Sequence, residues 1–305
     1  MQDIPNLKEI TYELTTACGA NCVMCARTQY SKVGQHMSKE RVMEYTRKVV
    51  ETGYNAIILG GMGDPLAYPH IAWFLQYVKQ TYPHMSIRLT TTGQLLTEEM
   101  LELVCRYVDI LKISNYGFTK QIYESVHRGS LVFEKVQENI SRIAKVQGRR
   151  PYIIMSYLDM DINHQEVLPW VEYWNTQGLS EVNVWKAHNW GGHVGAREEL
   201  SEEEVYCARI RNLHFKLWVD GTVSVCTFDC GRTLVVGNLN EEDFTSINQR
   251  YDEIKRVHDE HRVLQSTLDC RYCDQIFSRE EALLYLNENG QVLKDLIHTE
   301  VSSKS

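Results

Sequence analysis

The sequence lacks the features of a membrane protein, a secreted protein or a general nucleic-acid binder. No stretch of about 18 or more apolar residues is present, so no membrane-spanning helix is expected. The first residues carry neither the basic start nor the apolar run of a secretion signal. The formal net charge is −8 at pH 7, and non-specific nucleic-acid binding needs a basic face. We therefore expect no membrane partner and no non-specific nucleic-acid binding.

Cysteine, in contrast, is abundant. The chain has nine cysteines, an odd number, and most of them fall in short clusters. In a secreted protein such a content would suggest disulfides. The odd count and the missing secretion signal favour reduced thiols instead, so we expect a cytoplasmic protein.

Three cysteines lie in one short segment. Cys18, Cys22 and Cys25 have the spacing Cys-x3-Cys-x2-Cys. A [4Fe-4S] cluster normally takes four cysteine thiolates, so three ligands leave one iron with an open position, as catalytic metal sites have. Zinc is the alternative, but zinc sites usually combine one Cys-x2–4-Cys pair with a second, distant pair. The spacing therefore favours a cluster that binds a small chelating molecule.

This loop resembles the cluster motif of the radical S-adenosylmethionine (SAM) superfamily. The resemblance implies that the cluster on these cysteines binds SAM. Met24 stands where the family often has an aromatic residue whose backbone borders the adenine, and a thioether can still pack on a ring. Ser114, at the end of the fourth predicted strand, stands where the family often binds the ribose; a polar strand end without function is the alternative.

A second segment also resembles this family. Residues 60–66 read Gly-Gly-Met-Gly-Asp-Pro-Leu and are similar to the Gly-Gly-Glu motif that holds the amino group of SAM, with Asp in place of Glu. The resemblance implies that Gly61, Gly63 and Asp64 contact SAM. An ordinary glycine-rich turn after a strand is the alternative.

Short β-type runs alternate with amphipathic helical stretches up to about residue 187. Strands are predicted at Glu9–Leu14, Ala56–Leu59, Ser86–Thr91, Ile110–Ile113, Tyr152–Tyr157 and Glu181–Lys186. Helices are predicted between them at Lys39–Glu51, Ile71–Tyr82, Thr97–Tyr107, Phe133–Gln147 and Gln165–Gln177. This alternation indicates βαβ units and a parallel sheet, and six units make a partial (β/α)6 TIM-like barrel. The three-cysteine loop follows the first strand, at the barrel end that carries the chemistry.

The pattern changes after residue 187. An acidic run at Glu198–Glu204 indicates the start of an exposed helix, and strands at Phe215–Val219 and Thr222–Thr227 flank an Asp-Gly turn, which predicts a hairpin. Further helices are predicted at Asp243–Val257 and Arg279–His298. We therefore expect an α/β barrel over residues 1–187, and a linker plus a small α+β C-terminal domain over residues 188–305.

Four further cysteines fall in this second domain: Cys207, Cys226, Cys270 and Cys273. Four thiolates on a hairpin and a later Cys-x2-Cys loop would complete a second cluster. Their order resembles the twitch domain, the shortened form of the SPASM domain of auxiliary-cluster radical SAM enzymes. An all-cysteine zinc site is the alternative. Cys230 lies four residues after Cys226 and is an alternative fourth ligand, although the family spacing favours Cys207.

The resemblance implies SAM and two [4Fe-4S] clusters as cofactors. Reductive cleavage of SAM would give a 5′-deoxyadenosyl radical that takes a hydrogen atom from the substrate, and the auxiliary cluster would oxidise the substrate radical. We therefore predict an oxidoreductase similar to the 2-deoxy-scyllo-inosamine dehydrogenase group. Its substrate would be a small molecule with a sugar-, cyclitol- or nucleoside-like alcohol, and a flavodoxin or ferredoxin would donate electrons.

Three alternatives stay open. In an epimerase, Cys230 would return a hydrogen atom to the substrate; in a peptide-modifying maturase, a peptide would replace the small molecule. The chain would otherwise be a non-catalytic, zinc- or cluster-binding interaction protein. His188 is a further catalytic candidate, as a proton acceptor near neutral pH. For both side chains, simple packing is the more common role.

Overall fold

The structure is a computed structural model that describes residues 8–30, 32–148, 151–194, 206–211, 215–260, 262–278 and 284–285. Its strands are β1 (Glu9–Tyr12), β2 (Ala56–Leu59), β3 (Ser86–Thr91), β4 (Ile110–Ser114), β5 (Tyr152–Asp159), β6 (Glu181–Lys186), β7 (Tyr206–Cys207), β8 (Phe215–Leu217), β9 (Thr222–Ser224), β10 (Val235–Asn238), β11 (Phe277–Ser278) and β12 (Leu284–Tyr285). Its α-helices are α1 (Arg27–Tyr30), α2 (Lys39–Val50), α3 (Ile71–Thr81), α4 (Glu98–Tyr107), α5 (Lys120–Val126), α6 (Phe133–Ala144), α7 (Val167–Asn175), α8 (Ala208–Arg211) and α9 (Phe244–Asp259).

The order of elements confirms the predicted fold class. Strands β1 to β6 follow the six predicted strands, with helices between them. β1 pairs with β2 in parallel, and the pairs β3–β4, β4–β5 and β5–β6 are also parallel. These pairings give the parallel α/β core of a partial (β/α)6 barrel. None of the described helices is long and apolar enough to cross a membrane.

The chain divides into two compact units. The first comprises Met1–Cys18, Ala26–Ile87 and His188–Glu281, and the second comprises Gly19–Cys25, Arg88–Ala187 and Ala282–Ser305. The predicted domain boundary at residue 187 stays a prediction, because these units are defined by compactness alone.

In the first unit, the strand order is β10-β9-β8-β1-β2. β1 pairs in parallel with both β2 and β8, whereas β8, β9 and β10 are antiparallel. The predicted hairpin is therefore confirmed as β8–β9. Its turn requires Gly221, which has φ +95°, because a Cβ there would lie 2.5 Å from the Tyr45 hydroxyl. Strand β10 was not predicted, since Val235–Asn238 is short and contains a glycine.

In the second unit, the strand order is β3-β4-β5-β6-β12. Its helices follow from their sequences: α4 begins after Thr97, whose hydroxyl accepts a hydrogen bond from the Met100 amide. α6 buries Val136, Ile140 and Ile143, which recur at helical spacing. The structure thus matches α4 and α6 to the predicted helices, with α6 ending three residues earlier than predicted.

Helix α5 is short and was not predicted. The Glu166 carboxylate, far along the chain, accepts hydrogen bonds from the Phe118 amide at 2.6 Å and from the amide and hydroxyl of Thr119. These bonds satisfy donors at the start of the helix that would otherwise lack partners. Helix α5 therefore begins where a tertiary contact fixes it.

The predicted helix Arg279–His298 and the predicted helix start at Glu198–Glu204 lie largely outside the described residues. Within the predicted helix Arg279–His298, the two described residues form β12 and pair antiparallel with β6. The helix prediction is wrong at these two residues, because the free edge of β6 pairs with their backbone. The rest of that helix and the acidic run Glu198–Glu204 lie outside the described residues.

Candidate active site

The second unit holds Cys22, Met24 and Cys25, which are half-buried. The loop that carries them is bound to the segment at the end of α5. The Val23 amide donates to the Val126 carbonyl at 2.9 Å, and the Asn21 amide donates to the Ser130 hydroxyl at 2.7 Å. The backbone of this part of the cysteine loop is therefore held by hydrogen bonds on either side of Cys22.

His127 contacts one of the predicted cluster ligands. Its Nδ1 lies 3.0 Å from the Cys22 Sγ, and the side chain is fully buried. Burial lowers the pKa of His127 to about 4. Within the described residues, Nε2 has no hydrogen-bond partner. The sequence analysis assigned no role to this residue, because its contact with Cys22 joins residues that are far apart in the chain.

The end of β4 also lies in the second unit. Ser114 is nearly buried, and the neighbouring Asn115 is fully buried. The Asn115 Oδ1 accepts a hydrogen bond from the Trp170 indole at 2.9 Å, while its Nδ2 has no partner in the described part of the chain. A buried donor without a partner fits a site that takes a polar ligand. The ribose contact of Ser114 stays a prediction.

The glycine-rich segment after β2 lies in the first unit, against the residues between β1 and Cys18. A Cβ on Gly63 would lie 2.2 Å from the Thr15 carbonyl oxygen and 2.7 Å from that of Ala17. Only glycine permits this approach. Cys18 itself is half-buried. The segment is therefore packed on the backbone that leads into the cysteine loop.

Two carboxylates shape the glycine-rich segment. The buried Asp64 accepts a hydrogen bond from the Leu66 amide at 3.0 Å. Glu13, also buried, accepts one from the Met62 amide at 2.8 Å. Gly61 has φ +129°, and a Cβ there would lie 2.8 Å from Glu13 Oε2. The SAM contacts of Gly61, Gly63 and Asp64 stay predictions, and Glu13 is a supporting residue that the sequence analysis missed.

Four cysteines line one cavity of the first unit: Cys207, Cys226, Cys270 and Cys273. They come from β7, from the loop after β9 and from the turn Asp269–Tyr272 with the residue that follows it. Burial raises the pKa of the Cys207, Cys270 and Cys273 thiols, and burial together with repulsion from Cys207 raises that of Cys226 to about 12. The cavity is therefore lined by neutral thiols unless a cation compensates their ionisation.

The same cavity does not include Cys230. This thiol is 1% exposed and packs in an apolar cluster with Ala26, Met62 and Trp218. Burial raises its pKa to about 12. Cys230 therefore has the surroundings of a small buried hydrophobic residue.

His188 packs among aromatic rings. Its imidazole stacks on Phe228 with ring centroids 3.7 Å apart, and its Nδ1 accepts a hydrogen bond from the Trp190 amide at 3.1 Å. Burial and the nearby Arg209 lower the pKa of His188 to about 3. The ring is therefore neutral near pH 7, with one nitrogen already used. Its catalytic role stays a prediction that these contacts do not favour.

The four cysteines around the cavity of the first unit are compatible with an iron–sulfur cluster. In the residues that the structure describes, no group of three or more His, Cys, Asp or Glu converges so as to hold one metal ion. Tetrahedral zinc needs its sulfur ligands at about 2.3 Å from a single point. A cluster binds each thiolate through a different iron, so cysteines that surround a cavity suit it.

Comparison with known proteins identifies the class. The sequence matches the Radical SAM superfamily over residues 12–171, more than half of its length, and the chain belongs to that superfamily. This superfamily binds SAM and a [4Fe-4S] cluster.

Two curated relatives match parts of the chain. The AdoMet-dependent heme synthase of Methanosarcina barkeri is 29% identical over 147 residues, 48% of this chain and 41% of that protein. The GTP 3′,8-cyclase of Chlorobaculum tepidum is 23% identical over 208 residues, 62% of this chain and 59% of that protein. The chain thus spans about half the length of the curated relatives that it matches.

Three solved structures share the fold. BtrN in complex with AdoMet and 2-DOIA has a TM-score of 0.60 at 16% identity, covering 91% of this chain and 98% of BtrN. The anSMEcpe enzyme with bound AdoMet has a TM-score of 0.64 at 14% identity, covering 97% of both chains. Streptococcus suis SuiB bound to precursor peptide SuiA has a TM-score of 0.66 at 11% identity, covering 84% of this chain and 67% of SuiB. At these identities the likeness concerns the fold.

Proposed function

We propose that this radical SAM protein is a dehydrogenase that oxidises an alcohol of a small sugar-, cyclitol- or nucleoside-like molecule. The observation that carries the proposal is the cavity lined by Cys207, Cys226, Cys270 and Cys273. When bound, SAM and its cluster supply a 5′-deoxyadenosyl radical, and an auxiliary cluster supplies an acceptor for one electron. Oxidation of an alcohol to a carbonyl removes one hydrogen atom, one electron and one proton, so a hydrogen-abstracting enzyme needs such an acceptor.

The chemistry of the cavity supports an iron–sulfur group. Thiols must lose their protons before they bind a metal. Burial raises the pKa of all four thiols, and repulsion between cysteines adds to this effect at Cys226, Cys270 and Cys273. Positive iron charge offsets that penalty. Because protein residues supply four ligands, the substrate would not bind this cluster, which suits electron transfer.

The remaining residues would hold and orient the cofactor. Cys18, Cys22 and Cys25 would bind the first cluster, with Met24, Gly61, Gly63, Asp64 and Ser114 around SAM. A flavodoxin or ferredoxin would deliver the electron that the reductive cleavage of SAM consumes. The likeness to BtrN, a 2-DOIA dehydrogenase, supports the alcohol as substrate.

Peptide modification is the second candidate. It is favoured by the fold shared with SuiB, whose structure contains a precursor peptide. Both functions would use the same two clusters. They differ in the molecule that loses the hydrogen atom.

Anaerobic reconstitution tests the proposal. We expect about eight irons per chain, corresponding to two [4Fe-4S] clusters, and 5′-deoxyadenosine from SAM and dithionite. Aminocyclitols, nucleosides and peptides that carry deuterium on the reacting carbon would then be compared. Deuterium in 5′-deoxyadenosine and a carbonyl product from an alcohol would support the dehydrogenase. Iron for one cluster alone, or transfer from peptides alone, would overturn it.

A further inference from the structure

We propose that His127 is a positioning residue for the SAM-binding cluster, and that its Nδ1–H donates a hydrogen bond to the Cys22 thiolate. The proposal rests on ligation of the cluster by Cys22 and does not depend on the proposed substrate. Its functional consequence is a cluster that accepts an electron more easily than it would without this bond.

The contact fixes the direction of the hydrogen bond. His127 Nδ1 lies 3.0 Å from Cys22 Sγ. A thiolate that binds iron has no proton and can only accept, so the proton of this contact belongs to Nδ1. Nε2 has no partner among the described residues, which is consistent with a ring whose proton is on the nitrogen facing sulfur. This tautomer is assigned from the partners.

The surroundings hold the imidazole in this orientation. The ring of Tyr116 stacks on it, with centroids 5.8 Å apart and planes at 17°, and the ring of Tyr123 lies 4.4 Å away on a tilted plane. His127 is fully buried. Because water is excluded, the N–H has no competing acceptor from solvent, and a hydrogen bond in such surroundings is stronger than in water.

The backbone of the same segment holds the loop on both sides of Cys22. The Asn21 amide donates to Ser130 Oγ, and the Val23 amide donates to the Val126 carbonyl. Three consecutive loop residues are therefore bound by residues 126–130. This arrangement aligns the cysteine with the imidazole through bonds that do not depend on the histidine side chain.

The expected effect is on the reduction potential. Reduction adds negative charge to a cluster, and hydrogen bonds to its sulfurs stabilise that charge. Groups hydrogen-bonded to metal ligands commonly change affinity or activity by about 10- to 100-fold. Removal of this bond should therefore lower the potential, whereas a histidine that only fills space would not affect it specifically.

The test is a redox titration of the reconstituted full chain, followed by electron paramagnetic resonance. The signal of the SAM-binding cluster is recognised as the one that changes when SAM is added. His127→Leu removes the donor, and His127→Asn keeps an N–H near the Nδ1 position. Tyr123→Phe is the matched control, because it alters the neighbouring ring without touching the imidazole–sulfur bond.

We expect His127→Leu to raise the ratio of oxidised to reduced cluster about tenfold at fixed potential, which is about 59 mV for a one-electron couple. His127→Asn and Tyr123→Phe should stay close to the unsubstituted protein. An unchanged midpoint in a His127→Leu protein with full iron content would overturn the proposal. Equal shifts in the Leu and Asn variants would also overturn it, since they indicate packing.

A measurement on the unsubstituted protein covers the case in which His127→Leu does not assemble its cluster. With 15N-labelled histidine, pulsed resonance of the reduced cluster should detect a coupled nitrogen. Absence of that coupling would overturn the proposal. Cys22→Ala tests the premise separately: if this variant keeps the SAM-responsive signal, the ligation by Cys22 is wrong.

Discussion

The two groups of cysteines differ in how the fold holds them. Cys18, Cys22 and Cys25 lie within eight consecutive residues and are half-buried. The four thiols of the auxiliary cavity, Cys207, Cys226, Cys270 and Cys273, come from three separate segments, and three of the thiols are buried. The first arrangement leaves ligands accessible to a bound small molecule, and the second encloses them. The first arrangement suits the proposed binding of SAM, and the second suits the proposed electron transfer.

The largest effects are expected when one cysteine of each group is replaced. Cys22→Ala should abolish SAM cleavage, whereas Cys270→Ala should retain cleavage and lose the oxidised product. Each variant should keep about four irons per chain, the content of one [4Fe-4S] cluster. Iron analysis and chromatography of 5′-deoxyadenosine give both readouts.

The control for this pair is Cys105→Ala, which removes a thiol of α4 that belongs to neither group. It should change neither iron content nor cleavage. A Cys270→Ala protein that retains about eight irons would show that this cysteine does not ligate a cluster.

A smaller effect, on SAM affinity, is expected from a substitution in the glycine-rich segment, residues 60–66. Gly63→Ala should weaken SAM binding by about 10- to 100-fold, or about 1.4 to 2.8 kcal/mol, because the new Cβ would displace the segment from the Thr15 carbonyl. Gly60→Ala is the control, since nothing lies within 4 Å of a Cβ there. Equilibrium binding of SAM to the reconstituted protein measures both. Equal affinities would mean that the segment does not hold SAM.

Within the first unit, a buried ion pair joins the β8–β9 hairpin to the residue that holds the glycine-rich segment. Lys216, on the hairpin that leads to Cys226, lies 3.5 Å from Glu13, which holds the glycine-rich segment. Lys216→Met should destabilise the fold by about 3 to 5 kcal/mol, because it leaves a buried carboxylate unpaired. The double variant Glu13→Gln/Lys216→Met should cost less, since no charge is left alone. Urea denaturation of the two variants provides the comparison. A double variant that loses as much stability as Lys216→Met, or more, would contradict the expectation.

The smallest effect is expected at the cysteine that belongs to neither group. Cys230→Ala should cost about 1 kcal/mol, as typical substitutions do, because it removes one atom from an apolar cluster. Turnover should not change. Accumulation of an oxidised product in this variant alone would instead support the epimerase and a hydrogen-donating thiol.

Local patterns of the sequence predicted most of the fold. Strands β2, β3 and β6 have the predicted bounds, because each is a short β-type run between helical stretches with periodic apolar residues. β10 and α5 were missed for a shared reason. Val235–Asn238 is extended because β9 pairs with it, and α5 begins where Glu166 binds it. Both depend on partners that are distant in the chain.

The candidate site was predictable to the extent that its ligands are close in sequence. The spacing of Cys18, Cys22 and Cys25 indicates a cluster directly. The choice between Cys207 and Cys230 depends on folding, which brings the first to the auxiliary cavity and the second to an apolar cluster. The contacts of His127 with Cys22 and of Glu13 with Met62 could not be predicted, because each joins residues that are far apart in the chain.

The bonds at both ends of α5 have a consequence for local opening. A helix of seven residues is not stable in isolation; here Glu166 holds its beginning, and the cysteine loop is bonded to the residues at its end. Opening either end exposes the amides of the other, so we expect α5 and residues 21–23 to exchange amide hydrogens as one cooperative unit. Protection of the α5 amides would then report on whether the neighbouring loop is closed.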